Sequence, residues 1–170
     1  MTINEHLNHF RADDCGRVGK AVELAVASYL NKNTRERVRE QGKIDVRACY
    51  RDTNGKTRYA SVEVKTACAE IDNAERAPFV AYWPEPDVDV DIEHSVVVFT
   101  REQWAAFING YNGRGKFVRV DAKRGKSHIQ SFRGLYTGVR PSASLPIAEY
   151  IYSVVESMPT LAEWWDSMGR

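Results

Sequence analysis

Within GKIDVRACYRDTNGKTRYASVEVK, Asp45, Glu63 and Lys65 are the residue types that hydrolysis of a phosphodiester requires. That reaction uses hard oxygen ligands to hold a divalent cation, which neutralises the non-bridging phosphate oxygens, and a group that helps to produce the attacking hydroxide. Two carboxylates on adjacent strands supply such ligands. A lysine two residues after one of them lies on the same strand face, where its ammonium reaches both the water and the phosphate.

Whether these residues meet depends on the turn between the two extended runs. A two-residue Asn54-Gly55 loop sets Asp45 against Val64 and mixes polar with apolar side chains on both faces. A three-residue loop, Thr53-Asn54-Gly55, has Asp52 opening a type I turn and Gly55 in the left-handed conformation, and it sets Asp45 against Glu63. This second register places Ile44, Val46 and Ala48 opposite Val64, Val62 and Ala60 on an apolar face. Asp45, Arg47, Ser61, Glu63 and Lys65 are left on the other. The sorting of apolar residues therefore selects the three-residue loop without reference to any chemistry.

A helix precedes the hairpin. In RVGKAVELAVASYLNKN, Val18, Val22, Ala25, Val26 and Tyr29 recur at helical spacing, with Asp13 or Asp14 as a cap, and Glu23 falls on the border of the stripe, about 100° around from Val22. The basic segment TRERVRE reads as an edge strand. Beyond the hairpin, FVAYW and HSVVVFT read as strands separated by an acidic loop, and Thr100 with Gln103 forms a capping box for a helix that Gly110 ends. KFVRVDAK and SHIQSF read as further strands, followed by a helix from about 147 to 158 and a short last one opened by Thr160 with Glu163. Helices at the ends with strands between predict a mixed α/β layer fold.

The order of a Glu23-bearing helix, GKID, a hairpin and VEVK resembles the PD-(D/E)XK nuclease superfamily over roughly residues 16–66, in the manner of its small Holliday-junction resolvase-like and restriction-endonuclease-like members. Ile44 stands where the superfamily's name has proline. The resemblance implies a restriction-endonuclease-like α-β-β-β-α-β core, with a mixed central sheet flanked by helices and extra C-terminal strands and helices. It implies an Mg²⁺- or Mn²⁺-dependent deoxyribonuclease, an endonuclease or resolvase-like enzyme hydrolysing DNA through a metal-activated water. In its terms Asp45 and Glu63 bind the metal with the backbone carbonyl of Val64, Lys65 assists the water, and Glu23 binds metal through water or holds a second ion. It also fits a homodimer that cuts two strands, in restriction, junction resolution, a phage or a mobile element. The rival reading is a non-catalytic nucleic-acid-binding or assembly protein that keeps the nuclease fold.

With 170 residues, 43% of them hydrophobic and 28% charged, the chain suits one domain over 1–170. Its site-bearing core spans about 13–109, a basic strand region about 112–140, and C-terminal helices about 146–169. No apolar run is long enough for a bilayer, the first residues are polar and acidic, and Cys15, Cys49 and Cys68 form no CxxC pair; a reducing cytoplasm is expected. The net charge of +1 hides a segregation. EPDVDVDIE at 85–93 is purely acidic, whereas Arg114, Lys116, Arg119, Lys123, Arg124, Lys126, Arg133 and Arg140 face only Asp121. That basic stretch is the expected nucleic-acid contact. Asp121-Ala122-Lys123 is another acidic-x-Lys triplet, but no aspartate faces it across a hairpin. His6, His9 and Cys15 lack a metal-ligand spacing.

Overall fold

The computed structural model describes residues 1–10, 17–32, 39–41, 44–66, 77–112 and 145–168. In chain order these form α1 (Asn4–Leu7), α2 (Arg17–Lys32), β1 (Arg39–Gln41), β2 (Ile44–Arg51), β3 (Thr57–Thr66), β4 (Phe79–Trp83), α3 (Ile92–Ser95), β5 (Val97–Thr100), α4 (Arg101–Asn112), α5 (Leu145–Glu156) and α6 (Leu161–Ser167). The strands lie side by side in the order β1-β2-β3-β4-β5. The four longer strands make a mixed open sheet: β2–β3 and β4–β5 are antiparallel, β3–β4 is parallel, and the three-residue β1 extends the β2 edge through an irregular register.

Alternation of side chains gives the sheet two different faces. On the first, Val46, Ala48, Val62, Val64, Ala81, Trp83, Val96 and Val98 form one core with α2, α3 and α6. Helix α2 lies on β2 and β3, burying Ala21, Val22, Ala25, Val26 and Leu30, while Val18 and Tyr29 sit at the margin. The buried stripe is therefore the predicted one turned slightly towards Ala21 and Leu30. Trp164 and Trp165 of α6 complete this core, Trp164 at 5.1 Å from the Phe79 ring and Trp165 at 6.1 Å from Tyr50.

On the second face only the β4–β5 half is roofed with apolar side chains. Val80, Tyr82, Val97 and Phe99 pack under Trp104 and Phe107 of α4 and Ile151 of α5, with Tyr82 and Phe99 meeting Trp104 edge-on. The β2–β3 half of this face carries the polar residues of the hairpin. The fold thus buries Val46, Ala48, Ala60, Val62 and Val64 on one side of the hairpin and carries its acids and Lys65 towards the other.

Several sequence signals appear as expected. Thr100 and Gln103 exchange both capping-box bonds, 2.9 and 3.2 Å, as do Thr160 and Glu163. The segment before α6 also shields the outer edge of β5, since the Val98 amide donates to the Pro159 carbonyl and the Leu161 amide to that of Val96; an unpaired strand edge would invite another chain. Three boundaries differ. Helix α4 runs through Gly110 to Asn112, because a glycine costs a helix only about 1 kcal/mol and does not remove a hydrogen bond. Helix α5 begins at Leu145 rather than near 147. Residues 92–95, taken with the acidic loop and the following strand, instead form a helical turn anchored by buried Ile92 and by the Met1 ammonium, 3.0 Å from Asp91 and 2.9 Å from Glu93. The Asp13/Asp14 cap and the strands KFVRVDAK and SHIQSF lie outside the described residues.

Candidate active site

The hairpin has the three-residue loop. The Gly55 amide donates to the Asp52 carbonyl and the Asp52 amide to the Lys56 carbonyl, each at 2.9 Å, and Gly55 has φ +74°. The Asp52 carboxylate fastens the turn by accepting from the Asn54 and Lys56 amides at 2.9 Å and from Arg58 Nε at 3.0 Å. Its pKa is lowered, first by the bond from Arg58 and then by the Lys56 amide. From this turn the pairs run Arg51↔Thr57, Tyr50↔Arg58, Cys49↔Tyr59, Ala48↔Ala60, Arg47↔Ser61 and Val46↔Val62. The paired residues end at Val46↔Val62; the same alternation carried one step further would set Asp45 opposite Glu63, with Cβ atoms about 4.5–5.5 Å apart.

At that step the side chain of Asp45 takes over from the backbone. The Val64 amide, which points towards β2, donates to Asp45 Oδ2 at 2.7 Å, a length typical of a charge-assisted bond. A strand residue presents its N–H and C=O to the same neighbour. The Val64 carbonyl is thereby directed to the side on which the Asp45 carboxylate sits. Two residues of β3 flank it on the polar face: Lys65 Nζ lies 3.1 Å from Glu63 Oε1, and the two side chains keep only 10% and 12% of their surface exposed. Lys65 is the single buried charged residue among those described. A lysine is almost never so enclosed unless paired, and here its partner comes from its own strand, two residues back.

Glu23 lies on α2, which packs on the apolar face of the sheet, opposite to Glu63 and Lys65. It is half-buried and makes contacts of its own. Gly19, one turn earlier, is the helix residue that faces the end of β3: a Cβ there would stand 3.5 Å from Thr66 Oγ1. Residues i and i+4 share a helix stripe, so Glu23 follows Gly19 along the side of α2 that runs by β3. Among the described residues no group of three or more His, Cys, Asp or Glu side chains is arranged to hold a metal ion. The oxygen donors placed about the hairpin are those of Asp45 and Glu63, with the Val64 carbonyl on the same side; all three are hard donors that suit Mg²⁺ or Mn²⁺.

No family model, curated protein or solved structure matches this chain. Its site is therefore read from its own residues. The basic positions Arg114, Lys116, Arg119, Lys123, Arg124, Lys126 and Arg133 lie outside the described residues. Sequence reasoning overlooked two features of the hairpin: the side-chain-to-backbone bond between Asp45 and Val64, and the Arg47 guanidinium stacked 4.1 Å from the centre of the Tyr59 ring. The second was within reach, because Arg47 and Tyr59 are diagonal neighbours in the register that apolar sorting selects.

Proposed function

We propose that the chain is a metal-dependent nuclease, a DNA endonuclease or resolvase-like enzyme of restriction-endonuclease-like architecture that hydrolyses phosphodiester bonds. The observation that carries this reading is the shielded Lys65–Glu63 pair at 3.1 Å, with the Asp45 carboxylate bonded to the amide of Val64 between them. A sheet face built only for solubility would leave such charges in water. The mixed sheet with α2 on one face and the hairpin donors on the other agrees with the architecture proposed.

In this reading Asp45 and Glu63 would hold the cation with the Val64 carbonyl, whereas Glu23 sits on α2, across the sheet from Glu63 and Lys65. When bound, Mg²⁺ or Mn²⁺ supplies charge neutralisation at the phosphate and a water of lowered pKa. Asp45 is kept in place by the Val64 amide, which donates to its Oδ2 at 2.7 Å. Lys65 is paired with Glu63 at 3.1 Å, and its ammonium would donate to a phosphate oxygen and to the attacking water. Cutting both strands of a duplex would engage a second copy of the chain.

The test is paired: affinity by gel shift, and single-turnover cleavage in Mn²⁺, on branched, nicked and single-stranded DNA. Lys65→Ala should abolish cleavage and leave affinity within a few-fold, as for a group acting mainly in the transition state. Removing the charges of Lys123, Arg124 and Lys126 should weaken binding and flatten its salt dependence, with a slope smaller by roughly 2–3. Metal-independent DNA binding by a wild-type protein that cleaves none of the panel would overturn the enzyme in favour of a binding protein.

A further inference from the structure

Tyr59 is the most exposed large hydrophobic side chain among the described residues, with 56% of its surface in water. It stands on the same strand and face as Glu63 and Lys65. The register also places Arg47, Arg51, Thr57 and Ser61 on this face and no further acid between Glu63 and the turn. The remaining acid of the turn, Asp52, is engaged by Arg58 at 3.0 Å. Arg47 lies over the Tyr59 ring at 4.1 Å, and because Tyr59 is two pairs nearer the turn than Arg47, the guanidinium is drawn away from Asp45. A cation on a ring fixes both groups and leaves a flat, positively charged surface, which suits a base with its phosphate.

We infer that Tyr59 and Arg47 form a stacking platform for an unpaired base, so that the substrate class of this site is nucleic acid with a single-stranded segment. The inference rests on the nuclease reading for its reaction, not for its binding. Aromatic stacking accepts any base but needs an open base face, which the interior of a duplex does not offer. Four residues of strand separate Tyr59 from Glu63, ~13 Å at the usual rise. The stacked base is therefore up to about four nucleotides from a phosphate held beside Glu63, at the 3.4 Å rise of stacked nucleotides. Arg51, at the outer end of the stripe, continues the backbone track towards the turn.

The test uses the full chain in EDTA and single-stranded oligodeoxynucleotides carrying 2-aminopurine at successive positions, with the same strands annealed as the comparison. Wild-type protein should alter the fluorescence in a narrow window of positions, in single strands only. Tyr59→Leu should remove that window and weaken single-strand binding about tenfold, Tyr59→Trp should restore both, and Arg47→Gln should weaken binding with a smaller salt slope. Equal affinity and fluorescence for Tyr59→Leu and wild type, or an equal response to annealed strands, would overturn the platform; a response only to the matching RNA would overturn DNA as the ligand. Cleavage in Mn²⁺ separates the two ideas. A Tyr59-dependent window without cleavage keeps the platform and sinks the nuclease, whereas cleavage indifferent to Tyr59 does the reverse.

Discussion

Lys65 and Glu63 form an ion pair two residues apart on one strand, 3.1 Å between Nζ and Oε1, with both side chains nearly nine-tenths shielded. Two charges this enclosed stabilise the fold only as a pair, since each alone retains most of its desolvation cost. Glu63→Gln should therefore lower stability by about 1–3 kcal/mol, below the full cost of breaking a wholly buried pair because some solvent remains. Adding Lys65→Met to that variant should recover part of the loss. Urea unfolding of the four proteins in a double-mutant cycle measures it, and a simply additive result would show that the pair does not couple.

The hairpin that makes this pair was legible in the sequence because only one register puts Val46, Ala48, Ala60, Val62 and Val64 on one side, and the paired residues follow that register. The ion pair itself was not. Period-2 alternation says that Glu63 and Lys65 share a face, but whether the ammonium reaches the carboxylate or extends into water depends on the enclosure around both. The acidic segment reads as a loop, and the helical turn at 92–95 that closes it was hidden for a different reason. Val88 and Val90 alternate with acids as in a strand, yet both are exposed, at 37% and 40%, and the buried residue that organises the segment is Ile92. Alternation marks a strand only when a core takes one side of it.

Gly55 has φ +74°, and a Cβ built on it would meet nothing within 4 Å. Space is available and the backbone conformation is the only obstacle. Gly55→Ala should then cost about 1 kcal/mol, and Gly55→Asn less, since asparagine enters the left-handed region more readily. A shift in urea midpoint at constant m-value checks this; no shift for alanine would mean that the turn relaxes to another type.

The Asp52 carboxylate accepts from two amides and from Arg58, and its pKa is lowered with Arg58 as the largest cause. A depressed carboxyl pKa stabilises the fold above the unfolded value, here 3.8, and that contribution disappears as pH falls through the lower folded value. Stability of the wild type should therefore decline more steeply than that of Asp52→Asn as pH is lowered from about 5 to below the ordinary carboxylate range. Urea midpoints of the two proteins over that range should converge at the acid end. Parallel curves would show that the turn does not depend on the charge of Asp52.

The pairing of Lys65 with Glu63 also fixes the sign of a metal effect. In the nuclease reading, a divalent cation at Asp45 and Glu63 has to share Glu63 with an ammonium already 3.1 Å away, so the lysine opposes metal binding even as it serves the reaction. Mn²⁺ should raise the melting temperature of the wild type, and Asp45→Asn should abolish the rise. Lys65→Met removes the competing charge and should tighten Mn²⁺ binding about tenfold or more, as expected for a unit charge within a few ångströms of a partly shielded site, while cleavage is lost. Calorimetric titration of Mn²⁺ into the three proteins reads the affinities directly. If Lys65→Met bound Mn²⁺ no more tightly than the wild type, Glu63 would not be a ligand, because a carboxylate released from a cation 3.1 Å away must become the better donor for the next.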